Sequence, residues 1–123
     1  MKKQDIQWLS KPEDHDYPAA LSYLTLIYKE KHAETIVKDL RAAPVTTFKA
    51  KDIFRASGLP LLGISNLHLA KDTDKIKNNV PLSPLLLARP WQTNAPLIIA
   101  DGYHRLCAVY TFDEDALIPC KIV

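Results

Sequence analysis

The segment Asp101-Gly102-Tyr103-His104-Arg105 gathers a carboxylate, a glycine, an imidazole and a guanidinium where an apolar run, Leu97-Ile98-Ile99-Ala100, gives way to a helical pattern. The run reads as a strand buried on both faces, so the chain breaks at Asp-Gly from strand into helix. A helix N-terminus leaves amide donors unpaired and carries roughly half a positive charge. Phosphate oxygens set against Gly102, Tyr103 and His104 would meet those donors, with no Cβ at Gly102 to crowd them. Arg105 adds a permanent charge whose fork reaches two oxygens at once, and His104 can give or take a proton. Asp101 has two readings. It can cap the helix and occupy the same amides, or it can stand beside phosphates with Mg²⁺ bridging the two. On this reading Asp101 and His104 are the catalytic candidates, and Asp101 is the metal candidate.

Two basic pairs extend the candidate site. Lys51 and Arg55 lie four residues apart on one face of a short predicted helix, where like charges repel unless an anion or an acid such as Asp52 lies between them. Lys71 and Lys75, with His68 and Asp72, form a stripe on another predicted helix. That stripe is either a pocket wall or an ordinary solvated face. Cys107 and Cys120 lack the C-x-x-C spacing of zinc or redox chemistry and read as small core hydrophobes, both reduced.

The elements that must position these residues are helices first and sheet afterwards. The polar residues 1–16, with Pro12 and several acids, read as a loosely held arm. Tyr17, Leu21, Leu24 and Tyr28 mark a helix over about 18–29, and Ala33, Ile36, Val37 and Leu40 mark another that Pro44 ends, with Lys29 to His32 as either a break or a continuation. Thr46 or Thr47 can cap the short helix holding Ile53 and Phe54, which Gly58 stops. Leu59 to Leu67 is irregular. Leu69, Thr73, Ile76 and Val80 then give a further helix. Leu85 to Ala88 and Leu97 to Ala100 suit a hairpin in the middle of a covered sheet. The continuous apolar stretch Leu106 to Tyr110 requires a mostly buried helix, which leads to a last strand over about Leu117 to Val123. The expected fold class is α+β: one domain with a small mixed sheet, packed helices and a helical N-terminal half, divided as an arm (1–16), a helical extension (17–66) and a core (67–123).

Composition bounds the function. The 123 residues are 47% hydrophobic and 24% charged, which suits a single globular core. A net charge of +2 is too small for the dense basic stripe of a dedicated DNA binder, so nucleic acid is not an expected partner. No run approaches the ~18 apolar residues of a membrane span, and Lys2-Lys3 is not followed by the apolar stretch of a leader. The expected location is therefore cytoplasmic.

Leu82-Ser83-Pro84-Leu85-Leu86-Leu87, then Leu97 through Arg105 with Leu106-Cys107-Ala108, and finally Ile118-Pro119-Cys120-Lys121-Ile122, resemble the ParB/sulfiredoxin superfamily in order and spacing. The resemblance covers residues 67–123. It implies a small α/β domain whose Gly-x-x-Arg turn binds nucleotide phosphates, as CTP in ParB, ATP in sulfiredoxin, and ATP or ADP in ParB-like free serine kinases. Carried over, it implies phosphate contacts for Gly102, His104 and Arg105, with Lys71 and Lys75 bordering the nucleotide. Tyr103 stands where sulfiredoxin needs a cysteine, and Cys107 lies a turn further on in an apolar run, so that activity is not expected. Nor is DNA clamping, because no helix-turn-helix follows.

The expectation is thus a domain that binds ATP, ADP or CTP, with Mg²⁺, and transfers phosphate to a small hydroxyl-bearing acceptor. The alternative is a non-enzymatic interaction module that keeps the fold without the chemistry and engages a protein partner or a second copy of itself.

Overall fold

The computed structural model describes residues 5–61 and 67–123. Lys2-Lys3 and most of the irregular stretch expected before Leu67 lie outside the described residues. The elements run α1 (Asp16–Leu24), α2 (Glu30–Ala42), β1 (Thr46–Lys49), α3 (Ala50–Ser57), α4 (Leu67–Lys77), β2 (Leu85–Ala88), β3 (Ile98–Asp101), α5 (Tyr103–Phe112) and β4 (Leu117–Ile122). The fold is α+β, as the sequence pattern implies, with the strands forming a mixed sheet in the order β1-β4-β2-β3. β2 runs parallel to β4 and antiparallel to β3, and β1 pairs antiparallel with β4.

Alternation along β2 explains the layering, because successive side chains of a strand point to opposite faces. Leu85 and Leu87 join Ile99, Ile118 and Cys120 beneath Ile53, Leu69, Ile76 and the Leu106–Val109 stretch. Leu86 and Ala88 join Ala100 on the other face, under Tyr17, Ala20 and Leu24 of α1 and Ala33, Ile36, Val37 and Leu40 of α2. The sheet therefore lies between α1–α2 on one side and α3–α5 on the other. A strand covered on both faces reads as a continuous apolar run, which is why Leu85-Leu86-Leu87-Ala88 is fully buried.

Several expectations change. Thr46 and Thr47 do not cap a helix; with Phe48 they form β1, whose β-branched and aromatic side chains suit an exposed edge strand against β4. The β2–β3 hairpin forms but does not occupy the middle of the sheet: β4 and β2 are central and β3 is an edge. α1 ends at Leu24 and turns through Thr25–Tyr28, so Lys29 marks a break before α2. α4 ends at Lys77, leaving Val80 exposed beyond it.

Residues 5–15 are not a loose arm. Leu9 donates its N–H to Leu82 O at 2.8 Å, Leu82 donates to Gln7 O at 2.9 Å, and Ile6 and Trp8 pack on the larger core cluster. Gly58 ends α3 with φ 64°, the left-handed value expected of a helix stop. Cys107 and Cys120 are buried free thiols, and burial pushes the Cys120 thiol up to about 11. No helix among the described residues is long and apolar enough to cross a membrane.

Candidate functional site

β3 delivers Asp101 to the rim of the sheet, and Gly102 turns the chain into α5 with φ 107°. Only glycine fits here for two reasons: the backbone is left-handed, and a Cβ would stand 2.8 Å from Leu85 Cγ and 2.8 Å from Arg105 Nη2. The N-cap position of α5 is Gly102, which has no side chain to cap it. This resolves the two readings of Asp101 against the cap. Its carboxylate accepts instead from Arg105 Nη2 at 2.6 Å, one helical turn along.

Arg105 is largely buried, with 14% of its side chain exposed, and stands between two acids. Besides Asp101, its Nη1 lies 3.8 Å from Asp16 Oδ2. Asp16 comes from the first turn of α1 and is buried; its Oδ2 accepts from the Glu13 N–H at 3.1 Å and from the Ser83 hydroxyl. Arg105 Nε is buried with no hydrogen-bond partner among the described residues. Burial raises the Asp101 pKa above its ordinary value; Arg105 opposes the rise and Asp16 adds to it.

A cavity of about 490 Å³ opens against this cluster. Gly102, His104, Arg105 and Asp101 form its floor, Lys71, Asp72 and Lys75 of α4 one wall, and Glu13, His15, Asp16, Ala19 and Ser83 the other. The helix stripe Lys71, Asp72 and Lys75 is thus a pocket wall; the side chain of His68, expected in the same stripe, lies outside the described residues. The lining sets four carboxylates against three permanent cations. A polyphosphate entering alone would meet as much repulsion as attraction, whereas one carrying a divalent cation would present charge of both signs.

Other candidates fall elsewhere. Tyr103 turns away from the cavity: its hydroxyl donates to Pro60 O and its ring packs on the core. Lys51 pairs with Asp115 at 2.7 Å and Arg55 with Asp52 at 2.8 Å. Both line a separate depression with Phe54, Tyr110 and Glu114. Pairing with Asp115 is what raises the Lys51 pKa. These two residues are therefore not part of the Gly102 site, because the acids available on α3 and after α5 already satisfy them.

Asp16 and Ser83 are the residues that sequence reasoning missed. In the sequence Asp16 merely precedes the helix marked by Tyr17, and only tertiary packing carries it to Ser83, 67 residues away. Among the described residues, no group of three or more His, Cys, Asp or Glu side chains is arranged to hold a metal ion unaided. Comparison with known proteins returned no match to this chain among family models, curated proteins or solved structures.

Proposed function

We propose that the cavity at the start of α5 binds the phosphates of a nucleotide, ATP, ADP or CTP, together with Mg²⁺, in a ParB/sulfiredoxin-like domain of the cytoplasm. The observation that carries the reading is the convergence, on one 490 Å³ space, of Arg105, His104, Lys71, Lys75 and a helix start led by Gly102. Ligand cavities of small molecules and cofactors start at roughly 300 Å³. Helix amides and the α4 lysines supply the positive wall. Asp101 supplies an oxygen donor of the kind Mg²⁺ takes when phosphate and water provide the rest of its coordination. When bound, that ion neutralises phosphate charge.

Phosphoryl transfer asks the protein chiefly for positioned cations and a placed acid. Arg105, braced by two carboxylates, cannot swing away from the floor of the cavity. His104 lies where it can donate to a phosphate oxygen. Asp101, whose burial makes it more basic than an ordinary carboxylate, suits the role of taking a proton from a small hydroxyl-bearing acceptor. Titration calorimetry with ATP, ADP and CTP, with and without Mg²⁺, tests the proposal. Heat is expected with Mg²⁺ present and much less without it; no heat from any nucleotide at millimolar concentration overturns it.

A second reading, the interaction module, draws on the apolar turn between α1 and α2. Leu26 is 83% exposed, and Tyr23, Ile27 and Trp91 are exposed as well. A stable homodimer in sedimentation, lost on Leu26→Glu, together with no nucleotide heat, would favour it.

A further inference from the structure

Ser83 sits in the cavity with a general base attached. Its hydroxyl donates to Asp16 Oδ2 and its oxygen accepts from the Glu13 N–H at 3.2 Å. A serine hydroxyl has one proton and two acceptor lone pairs. Those two bonds therefore direct the hydroxyl proton at the carboxylate and leave one lone pair on the oxygen of Ser83, a residue that lines the cavity. The Asp16 oxygen that receives the proton lies 3.8 Å from Arg105 Nη1, so nucleophile, base and cation meet at one carboxylate oxygen. Ser83 is 5% exposed. This is the arrangement of an activated hydroxyl: nucleophile and base within hydrogen-bond reach, and the base held in turn by a third group.

We infer that Ser83 is itself a phosphoryl acceptor, phosphorylated by a nucleoside triphosphate bound in the same cavity. The inference rests on the nucleotide reading and puts the acceptor on the chain itself in place of a free small molecule, with Asp16 rather than Asp101 as its base. Ser83 Oγ attacks the γ-phosphorus, forming the Oγ–P bond as the bond from that phosphorus to the bridging oxygen of the leaving diphosphate breaks. The hydroxyl proton passes to Asp16, and nucleoside diphosphate departs with the bond's electrons. Arg105 offsets the charge on the transferring group. Asp101, bound to Arg105 rather than to Ser83, positions the guanidinium.

The test incubates the full chain with Mg²⁺ and ATP labelled at the γ-phosphate, maps the labelled peptide by mass spectrometry, and measures ATP binding calorimetrically on the same preparation. Expected are binding heat and one phosphate on the peptide containing Ser83. Asp16→Asn, checked for folding by circular dichroism and assayed at saturating Mg²⁺ and ATP, should slow labelling roughly 10²-fold or more, the scale of a lost general base. Heat without phosphate on Ser83, or phosphate at another residue, overturns the acceptor assignment and leaves the nucleotide reading standing; no heat removes both. The wild-type map decides the question even if Asp16→Asn fails to fold.

Discussion

Two helices carry basic side chains at the same four-residue spacing, Lys51 and Arg55 on α3 and Lys71 and Lys75 on α4, and the fold uses them in opposite ways. On α3 each charge is matched by protein: Asp115 lies 2.7 Å from Lys51 and Asp52 lies 2.8 Å from Arg55. On α4 the same pattern faces a cavity whose floor is the start of α5. Helical spacing puts two charges on one face; it does not say what that face looks at. The answer comes from the topology, which brings the turn after α5 beside α3 and the Gly102 turn beside α4. Arg105 is a third case, lining the cavity and yet braced by acids.

Removing that brace should have the largest effect. Arg105→Ala leaves Asp16 and Asp101 buried and facing each other without a cation, and breaking a buried pair in this way costs about 3 to 5 kcal/mol. Urea unfolding should show a loss of that size, and calorimetry should show no nucleotide heat under conditions where the variant is folded. A loss below about 1 kcal/mol would mean that Arg105 behaves like the exposed pairs on α3. Gly102→Ala should come next, at about 1 to 3 kcal/mol for a side chain forced to φ 107°. Its Cβ also presses on Leu85, which is fully buried and cannot retreat.

The lysines test the contrast directly. Lys71→Ala and Lys75→Ala should each weaken nucleotide binding about tenfold, close to 1.4 kcal/mol, and the loss should shrink with added salt because both side chains are exposed. Lys51→Ala and Arg55→Ala should leave affinity unchanged and shift the unfolding midpoint little. Equal losses from all four would erase the distinction between the helices, since a general positive field would then suffice.

What the sequence made legible follows the range of the interactions involved. β2, β3 and α5 were readable because both faces of these elements are covered, so burial is written as continuous apolar runs in Leu85–Ala88, Leu97–Ala100 and Leu106–Val109. The Gly102 turn was readable from the break between strand and helix, whereas the stripe of Lys71 and Lys75 was readable only as one face of a helix, and the fold decides that it lines the cavity. β1 was not, because Thr46 and Thr47 serve a helix cap and an edge strand equally well, and only pairing with Cys120 and Pro119 decides between them. Asp101 was within reach, since Arg105 stands at i+4, but a carboxylate before a helix reads first as a cap. Asp16 and Ser83 were beyond local reading: nothing near either residue marks the other. Residues 5–15 looked polar as a set, while Ile6 and Trp8 pack on the core and Pro12 is buried.

The smallest effect is also the one that asks whether the acids of the cavity are satisfied as those on α3 are. Burial raises the Asp101 pKa above 3.8 despite the pull of Arg105. The folded chain thus holds this proton more tightly than the unfolded chain does. The stability contributed by protonated Asp101 is fully present below the unfolded value near pH 4 and is lost as pH rises through the raised one. Asp101→Asn cannot ionise and lacks that slope. The stability of the variant minus that of the wild type, from urea midpoints taken between about pH 3.5 and 8, should climb from acid toward neutral pH and then level off. Taking the difference cancels the opposite slopes of the other carboxylates. A difference that falls as pH rises would mean that Arg105 outweighs burial, leaving Asp101 a settled ion-pair partner, as Asp52 and Asp115 are, and removing it as the proton acceptor for a small hydroxyl-bearing molecule.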